Sequence, residues 1–232
     1  MTSPDPSDPP PDGRRSAAAA RRRRREKDIL AATRSLFDAR GVRDAQIEDI
    51  ARSVGINRAI IYRHFSGKEE LFALTLVGYL EELGACLHDA DSPQLAPADR
   101  LRALTAAFVD YGLAYPAFVD CALTVMRRPG AELFDEISEG AMYRLGRGIS
   151  SCLAIVVATV RDGVRDGVFH TDDVDLLANT LYATGLGGLQ LAQVGLLVRE
   201  KLPGVPTTAP LSAQQVKEHL IESSFAMAVG AR

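Results

Sequence analysis

Apolar residues recur at helical spacing through almost the whole chain, and runs of strict apolar–polar alternation are nearly absent. Ile29, Thr33, Leu36 and Phe37 predict a helix over 17–40, ended by Gly41. Ile47, Ile50, Ala51 and Val54 fall at i, i+3, i+4 and i+7, which predicts a short second helix with one tight apolar stripe, ended by Gly55. Asn57 is suited to cap a third helix that turns Ile61 and Phe65 inward. Ser66 and Glu69 have capping-box spacing and predict the start of a long fourth helix to about Ala90. Further helical periodicity covers 101–115, 117–128, 131–167, 172–200 and 212–228, with breaks at Pro93, Pro97, Pro116 and Pro129. Residues 201–210 read as a Pro/Thr loop. The expected class is all-α.

Charge divides this helical chain. The overall net charge of -3 combines +9 over residues 14–68 with -9 over 69–232, and the first 13 residues supply the remaining negative charge. A basic module joined to an acidic body places contact with a polyanion on the module alone. Residues 1–16 are rich in Pro, Asp and Ser with almost nothing apolar to bury, so a disordered tail is expected there. Cys86, Cys121 and Cys152 are odd in number and widely spaced, and read as small buried hydrophobes rather than a disulfide or metal framework. The uncharged run 181–198 holds four glycines and two glutamines, which suits a buried helix better than a membrane span. With no secretion signal in view, a cytoplasmic location is expected.

Two short helices joined through Gly55-Ile56-Asn57 fit a helix-turn-helix, whose second helix lies in a major groove. Arg58, Ala59, Ile60, Tyr62, Arg63 and His64 are then candidates to face outward. The stretch from Asp49 through Gly55, Tyr62, His64-Phe65 and Lys68-Glu69-Glu70-Leu71 resembles the signature of the tetracycline-repressor (TetR) family, and Ile29–Ala32 with Leu36-Phe37 and Gly41 fits that family's first helix. The resemblance spans about 27–71. It implies an N-terminal three-helix helix-turn-helix DNA-binding domain, drawn at 17–68, and a C-terminal helical ligand-binding and dimerisation domain, drawn at 69–232. It implies that Arg58, Ala59, Ile60, Tyr62 and Arg63 lie on a recognition helix, with Arg58 or Arg63 bidentate to guanine and Ile60 against a thymine methyl. Tyr62, His64 and Lys68 would approach phosphates. This sequence departs from the family at the start of the second helix, where Ala45-Gln46 stands in place of a phosphate-contacting Thr or Ser. Asp44 is then the available cap, and Gln46 the available DNA contact. Arg14, Arg15 and Arg21–Arg25 add a basic block that either follows the DNA backbone or is a solvated face.

In the body, Phe108, Tyr111, Tyr115 and Phe118 repeat at helical spacing, as core or as the wall of a mostly apolar pocket. Cys121, Met126, Tyr143 and Gln190 are further ligand-binding candidates. The glycine-rich 181–188 segment and the apolar face of Val216, Leu220 and Phe225 suit helix pairing, and the resemblance implies a homodimer through the last two helices. His64, His88, His170 and His219 are far apart, and no nucleophile elbow, phosphate loop or metal spacing is present. No enzyme activity, catalytic residue, metal or cofactor is expected. The expected partners are a double-stranded DNA operator, a second copy and an unidentified small-molecule effector, with no membrane. The implied function is a ligand-responsive transcriptional repressor. The alternative is a constitutive or architectural DNA-binding protein without an inducer.

Overall fold

The structure, a computed structural model, describes residues 11–127, 129, 132 and 135–230, with side chains from Arg15 onward. The elements in order are α1 (Pro11–Arg40), α2 (Ile47–Val54), α3 (Arg58–Tyr62), α4 (Lys68–Ala90), α5 (Pro97–Ala114), α6 (Pro116–Met126), α7 (Glu139–Arg165), α8 (Val174–Val194), β1 (Leu196–Leu202), β2 (Val205–Pro210) and α9 (Ala213–Val229).

Helix α4 is the spine. Leu71, Leu74, Leu76, Leu80, Leu83 and Leu87 are buried together with Phe72, Val77 and Tyr79, so apolar side chains leave it on nearly every side. A helix apolar all round must be covered all round, and α4 packs on α1, α5, α6 and α7. By length and composition alone α4 and α7 are long and apolar enough to cross a membrane; in α4 most of the apolar stretch is buried inside the fold. A smaller cluster of Leu101, Val160, Phe169, Leu181 and Ala228 closes the far end between α5, α7, α8 and α9.

Helix ends follow local chemistry. Asn57 accepts a hydrogen bond from the Ile60 amide and opens α3. Asp173 and Ser212 do the same for α8 and α9. Helix α7 ends in a Schellman turn: Gly167 is left-handed, its amide donates to the Val164 carbonyl, and the Val168 amide donates to the Gly163 carbonyl. The turn folds Phe169 back onto Gly163, where the ring is fully buried.

Several sequence expectations are corrected. Helix α1 starts at Pro11, so 11–16 are helical rather than a disordered tail; residues 1–10 lie outside the described residues. The helix nucleated on Ile29 and Phe37 propagates outward through Ala17–Ala20, and propagation costs far less than nucleation. Ser66 does not cap α4. Gly67 holds the N-cap position, and the Ser66 amide donates to Glu70 instead. Asp44 does not cap α2 either; Gln46 sits there without a side-chain cap. The expected helix over 131–167 is broken at Ile137-Ser138, where Ser138 caps α7. The expected helix over 172–200 stops at left-handed Gly195, and 196–210 form an antiparallel hairpin in place of the Pro/Thr loop. Helical spacing of Leu191, Val194 and Val198 hid the change of period. Cys86 is exposed, while Cys121 and Cys152 are buried as expected. Gly188 meets Leu220 of α9 within the same chain, so its close approach is a core contact.

At Gly163 an added Cβ would lie 2.0 Å from the Phe169 ring. Gly163→Ala is expected to lower unfolding stability by about 1–3 kcal/mol through overpacking, measured by urea denaturation at fixed protein concentration.

Candidate functional site

Residues Ile47–Tyr62 form the two-helix unit expected from their spacing. Helix α2 buries Ile47, Ile50 and Ala51 against the first helix. Its end is a second Schellman turn: the Ile56 amide donates to the Ala51 carbonyl and the Gly55 amide to the Arg52 carbonyl, with Gly55 at φ 70. The left-handed residue turns the chain so that α3 crosses α2 and buries Ile61. The outer side of α3 then presents Arg58, Ala59, Tyr62 and Arg63 to solvent, with Ile60 and His64 half-buried at its edge. Tyr62 is 50% exposed, which is unusual for a large side chain with nothing to cover it.

The ridge has ordered electrostatics. Arg58 Nη1 lies 3.0 Å from Glu48 Oε1 on α2, and that guanidinium, after backbone hydrogen bonding, holds the Glu48 carboxyl below its ordinary value. Arg52 is similarly held at 3.1 Å from Asp49. Gln46 is exposed at the α2 N-cap, and Lys68, at the start of α4, rests its Nζ 4.9 Å from the centre of the Phe72 ring. Arg21, Arg22, Arg24 and Arg25 of α1 line one wall of an open cleft whose other wall is Ile60, Arg63 and His64. Contact between these two elements was not legible in the sequence, where the arginine run stood apart from the helix-turn-helix. His64 Nδ1 is buried beside the cleft without a hydrogen-bond partner among the described residues. Burial first, and then the charge of Arg22, lowers its pKa.

Among the described residues, side-chain pairs of α1 tie the basic unit to the body. Arg34 of α1 pairs with Glu82 of α4, its guanidinium 4.3 Å from the centre of the Tyr79 ring. Tyr79 donates to Asp38 of α1 at 2.6 Å. Arg144 of α7 meets Glu26 of α1 at 2.6 Å. Sequence reasoning passed over Arg34, Tyr79 and Glu82, because the two helices that carry them are far apart in the chain and the three residues share no motif signal.

A narrow cavity opens between α4, α5, α7, α8 and α9. Of the expected ligand-binding residues, Phe108 alone lines it. Tyr111, Phe118 and Cys121 are buried behind Phe108, with Phe118 in edge contact with both Phe108 and Tyr111. Tyr115 is half-buried against Tyr111 and Tyr79. Met126 and Tyr143 are largely exposed on other surfaces, and Gln190 bonds Gln193 outside the cavity. Period-3.6 spacing identified the aromatic stripe but not which of its members meets empty space. Leu83 and Leu104, which do, were not singled out in the sequence, and Leu181 and Tyr182, which also do, fell in the segment read as suited to helix pairing. Among the described residues no group of three or more His, Cys, Asp or Glu is placed to hold a metal.

Residues 29–75 match the family described as bacterial regulatory proteins, tetR family. The HTH-type transcriptional repressor KstR2 of Mycobacterium tuberculosis is 25% identical over 193 residues, covering 81% of this chain and 86% of KstR2. The HTH-type transcriptional activator FasR of Mycolicibacterium smegmatis is 31% identical over 83 residues, covering 36% of this chain and 38% of FasR. The crystal structure of RolR in complex with resorcinol superposes with a TM-score of 0.64 at 16% identity, over 90% of each chain.

The lowered pKa of His64 has a defined consequence for stability. The folded chain binds fewer protons at this imidazole than the unfolded chain, whose value is 6.5. The stability is therefore complete above that value and falls as pH drops through and below it. On going from pH 7.5 to 5.5, the thermal midpoint is expected to fall further in the natural chain than in His64→Gln, measured by circular dichroism.

Proposed function

We propose that this chain is a transcriptional regulator of the tetR family that acts in the cytoplasm as a homodimeric repressor, released from a double-stranded DNA operator by a small molecule; the match of residues 29–75 to that family and the similarity to KstR2 over 81% of the chain support the reading. The observation that carries the DNA-binding part is the exposed ridge of Arg58, Ala59, Tyr62 and Arg63, faced across an open cleft by the arginine wall of α1. We draw the DNA-binding unit at 17–68 and the sensing and dimerising unit at 69–232.

Roles on the ridge follow from reach and chemistry. Arg58 and Arg63 present planar donor forks suited to guanine O6 and N7, and Ile60 and Ala59 offer apolar contact to a thymine methyl. Tyr62, His64, Lys68 and Gln46 stand at the margins, where phosphates pass. Arg58 reaches DNA already oriented by Glu48. Arg21, Arg22, Arg24 and Arg25 neutralise backbone phosphates beside the groove.

Dimerisation is assigned to the outer face of α8. Leu176, Thr180, Ala183, Gly187, Leu191 and Val194 are exposed along it without a charged residue among them. That stripe is smooth enough for a symmetry-related α8 to approach closely. In the proposed dimer the two α3 helices enter successive major grooves, which lie roughly 34–36 Å apart on DNA. Repression rather than activation is favoured because similarity to the repressor KstR2 extends over most of the chain, whereas similarity to the activator FasR covers 83 residues.

Two outcomes test this reading. Arg58→Ala and Arg63→Ala are each expected to cost about 1–3 kcal/mol of discrimination between operator and random duplex, read by fluorescence anisotropy; equal weakening on both duplexes would make these arginines phosphate contacts. Replacing Arg21, Arg22, Arg24 and Arg25 together by alanine should flatten the salt dependence by about 0.9 in logarithmic slope for each phosphate no longer neutralised. An unchanged slope would leave the α1 arginines as a solvated face, and a high ratio of specific to non-specific affinity separates a regulator from an architectural protein.

A further inference from the structure

The cavity in the body has a volume of about 60 Å³. It is a slot rather than a chamber, smaller than the roughly 300–1,000 Å³ usual for small-molecule sites, so an occupant must widen it. Leu83 and Leu87 of α4, Leu101 and Leu104 of α5 and Leu181 of α8 supply most of its wall, with Phe108 and Tyr182 in edge contact at one side. None of the lining side chains is charged.

The four polar side chains in the wall differ in what they have left to offer. Thr105 Oγ1 donates to the Leu101 carbonyl at 2.9 Å, and Cys152 Sγ donates to the Leu80 carbonyl at 3.3 Å. Both have spent their only proton on the backbone. Burial holds the Cys152 thiol protonated, with a pKa of about 11. Tyr182 and Ser224 form no side-chain hydrogen bond with the described residues, so each keeps one O–H to donate. The cavity can therefore donate two hydrogen bonds but holds no cation.

We infer that the cavity takes an uncharged, mainly apolar molecule, flat or extended in shape, that presents one hydroxyl or carbonyl oxygen to Tyr182 and Ser224. This rests on the proposal that the body is a sensor and narrows what it senses. A carboxylate, a phosphate or a coenzyme thioester with its phosphates would bring a charge into a wall that has nothing to pair with it, and burying an unpaired charge is strongly disfavoured. An oxygen that accepts from Tyr182 and Ser224 satisfies two donors that otherwise face an apolar space.

The test uses matched neutral and anionic probes on the full-length protein: 2-naphthol against 2-naphthoate, and 1-decanol against decanoate. The chain contains no tryptophan, so naphthyl fluorescence is read without tryptophan background; the decyl pair is read by displacement of 2-naphthol. The neutral member of each pair should bind at least about tenfold more tightly than its anion. Tyr182→Phe and Ser224→Ala should each weaken 2-naphthol about 2- to 10-fold, the range of one neutral hydrogen bond, and leave naphthalene unchanged. Circular dichroism melts of both variants check that the fold is retained. Anions that bind as well as their neutral partners would overturn the inference, as would failure of both neutral probes to bind. A weakening shared equally by naphthalene would overturn the role of the two hydroxyls. Operator anisotropy in saturating 2-naphthol separates the two readings. Binding without release of DNA removes the sensing proposal and leaves the chemistry of the cavity standing, whereas release by 2-naphthoate keeps the sensor and removes its neutrality.

Discussion

The arrangement of this molecule depends on how one arginine is held. Arg34 projects from the basic first helix into the acidic body. There it pairs with Glu82, lies over the Tyr79 ring and is approached by Tyr115. The hydrogen bond to Glu82 raises the pKa of the guanidinium above its already high ordinary value, and Arg34 in turn holds the Glu82 carboxyl below the usual carboxylate range. Neither partner changes charge at physiological pH, so the join is permanent in charge. Arginine suits this place because its planar group can stack on a ring and pair in-plane with a carboxylate at once, which a lysine ammonium cannot do.

The same joint touches the wall of the cavity through a chain of rings. Tyr111 donates to the Tyr79 carbonyl at 3.0 Å and reaches Glu82 at 3.3 Å. Behind it Phe118 meets Tyr111 at 5.4 Å and Phe108 at 6.1 Å between ring centres, and Phe108 lies against Tyr182. Phe108 has little freedom on its far side, because a single added carbon at Gly185 would lie 2.6 Å from its ring. Close-packed interiors transmit displacement rather than absorb it. On the proposed reading, a small molecule that widens the slot would displace Phe108, which is joined through ring contacts to Tyr111 beside the Arg34–Glu82 pair.

Most of the helical fold is legible in the sequence, and the reasons it is not wholly so are local. Apolar spacing finds α2, α3 and α4 because each presents a single buried stripe or, in α4, buried residues on every side. It misses the hairpin because β1 and β2 are exposed on both faces. A strand that buries neither face has no reason to alternate, so Leu196 and Val198 read as continued helix and Leu202 as loop. The exposed ridge of α3 is legible since short-range spacing alone determines which residues turn outward. The cleft between α1 and α3, the Arg34 joint and the membership of the cavity depend on contacts between residues far apart in the chain, and a single sequence carries no signal of those.

The length of α1 has a mechanical meaning. Arg34, where the helix is clamped, and Arg21, at the cleft, are separated by roughly 20 Å along one helix axis. A rigid rod pivoting at the clamp amplifies rotation in proportion to that arm, so a tilt of about 5° carries Arg21 through roughly 1.7 Å. This distance is comparable with the difference between a hydrogen-bonded phosphate and one out of reach. The Arg144–Glu26 pair meets the rod between pivot and tip.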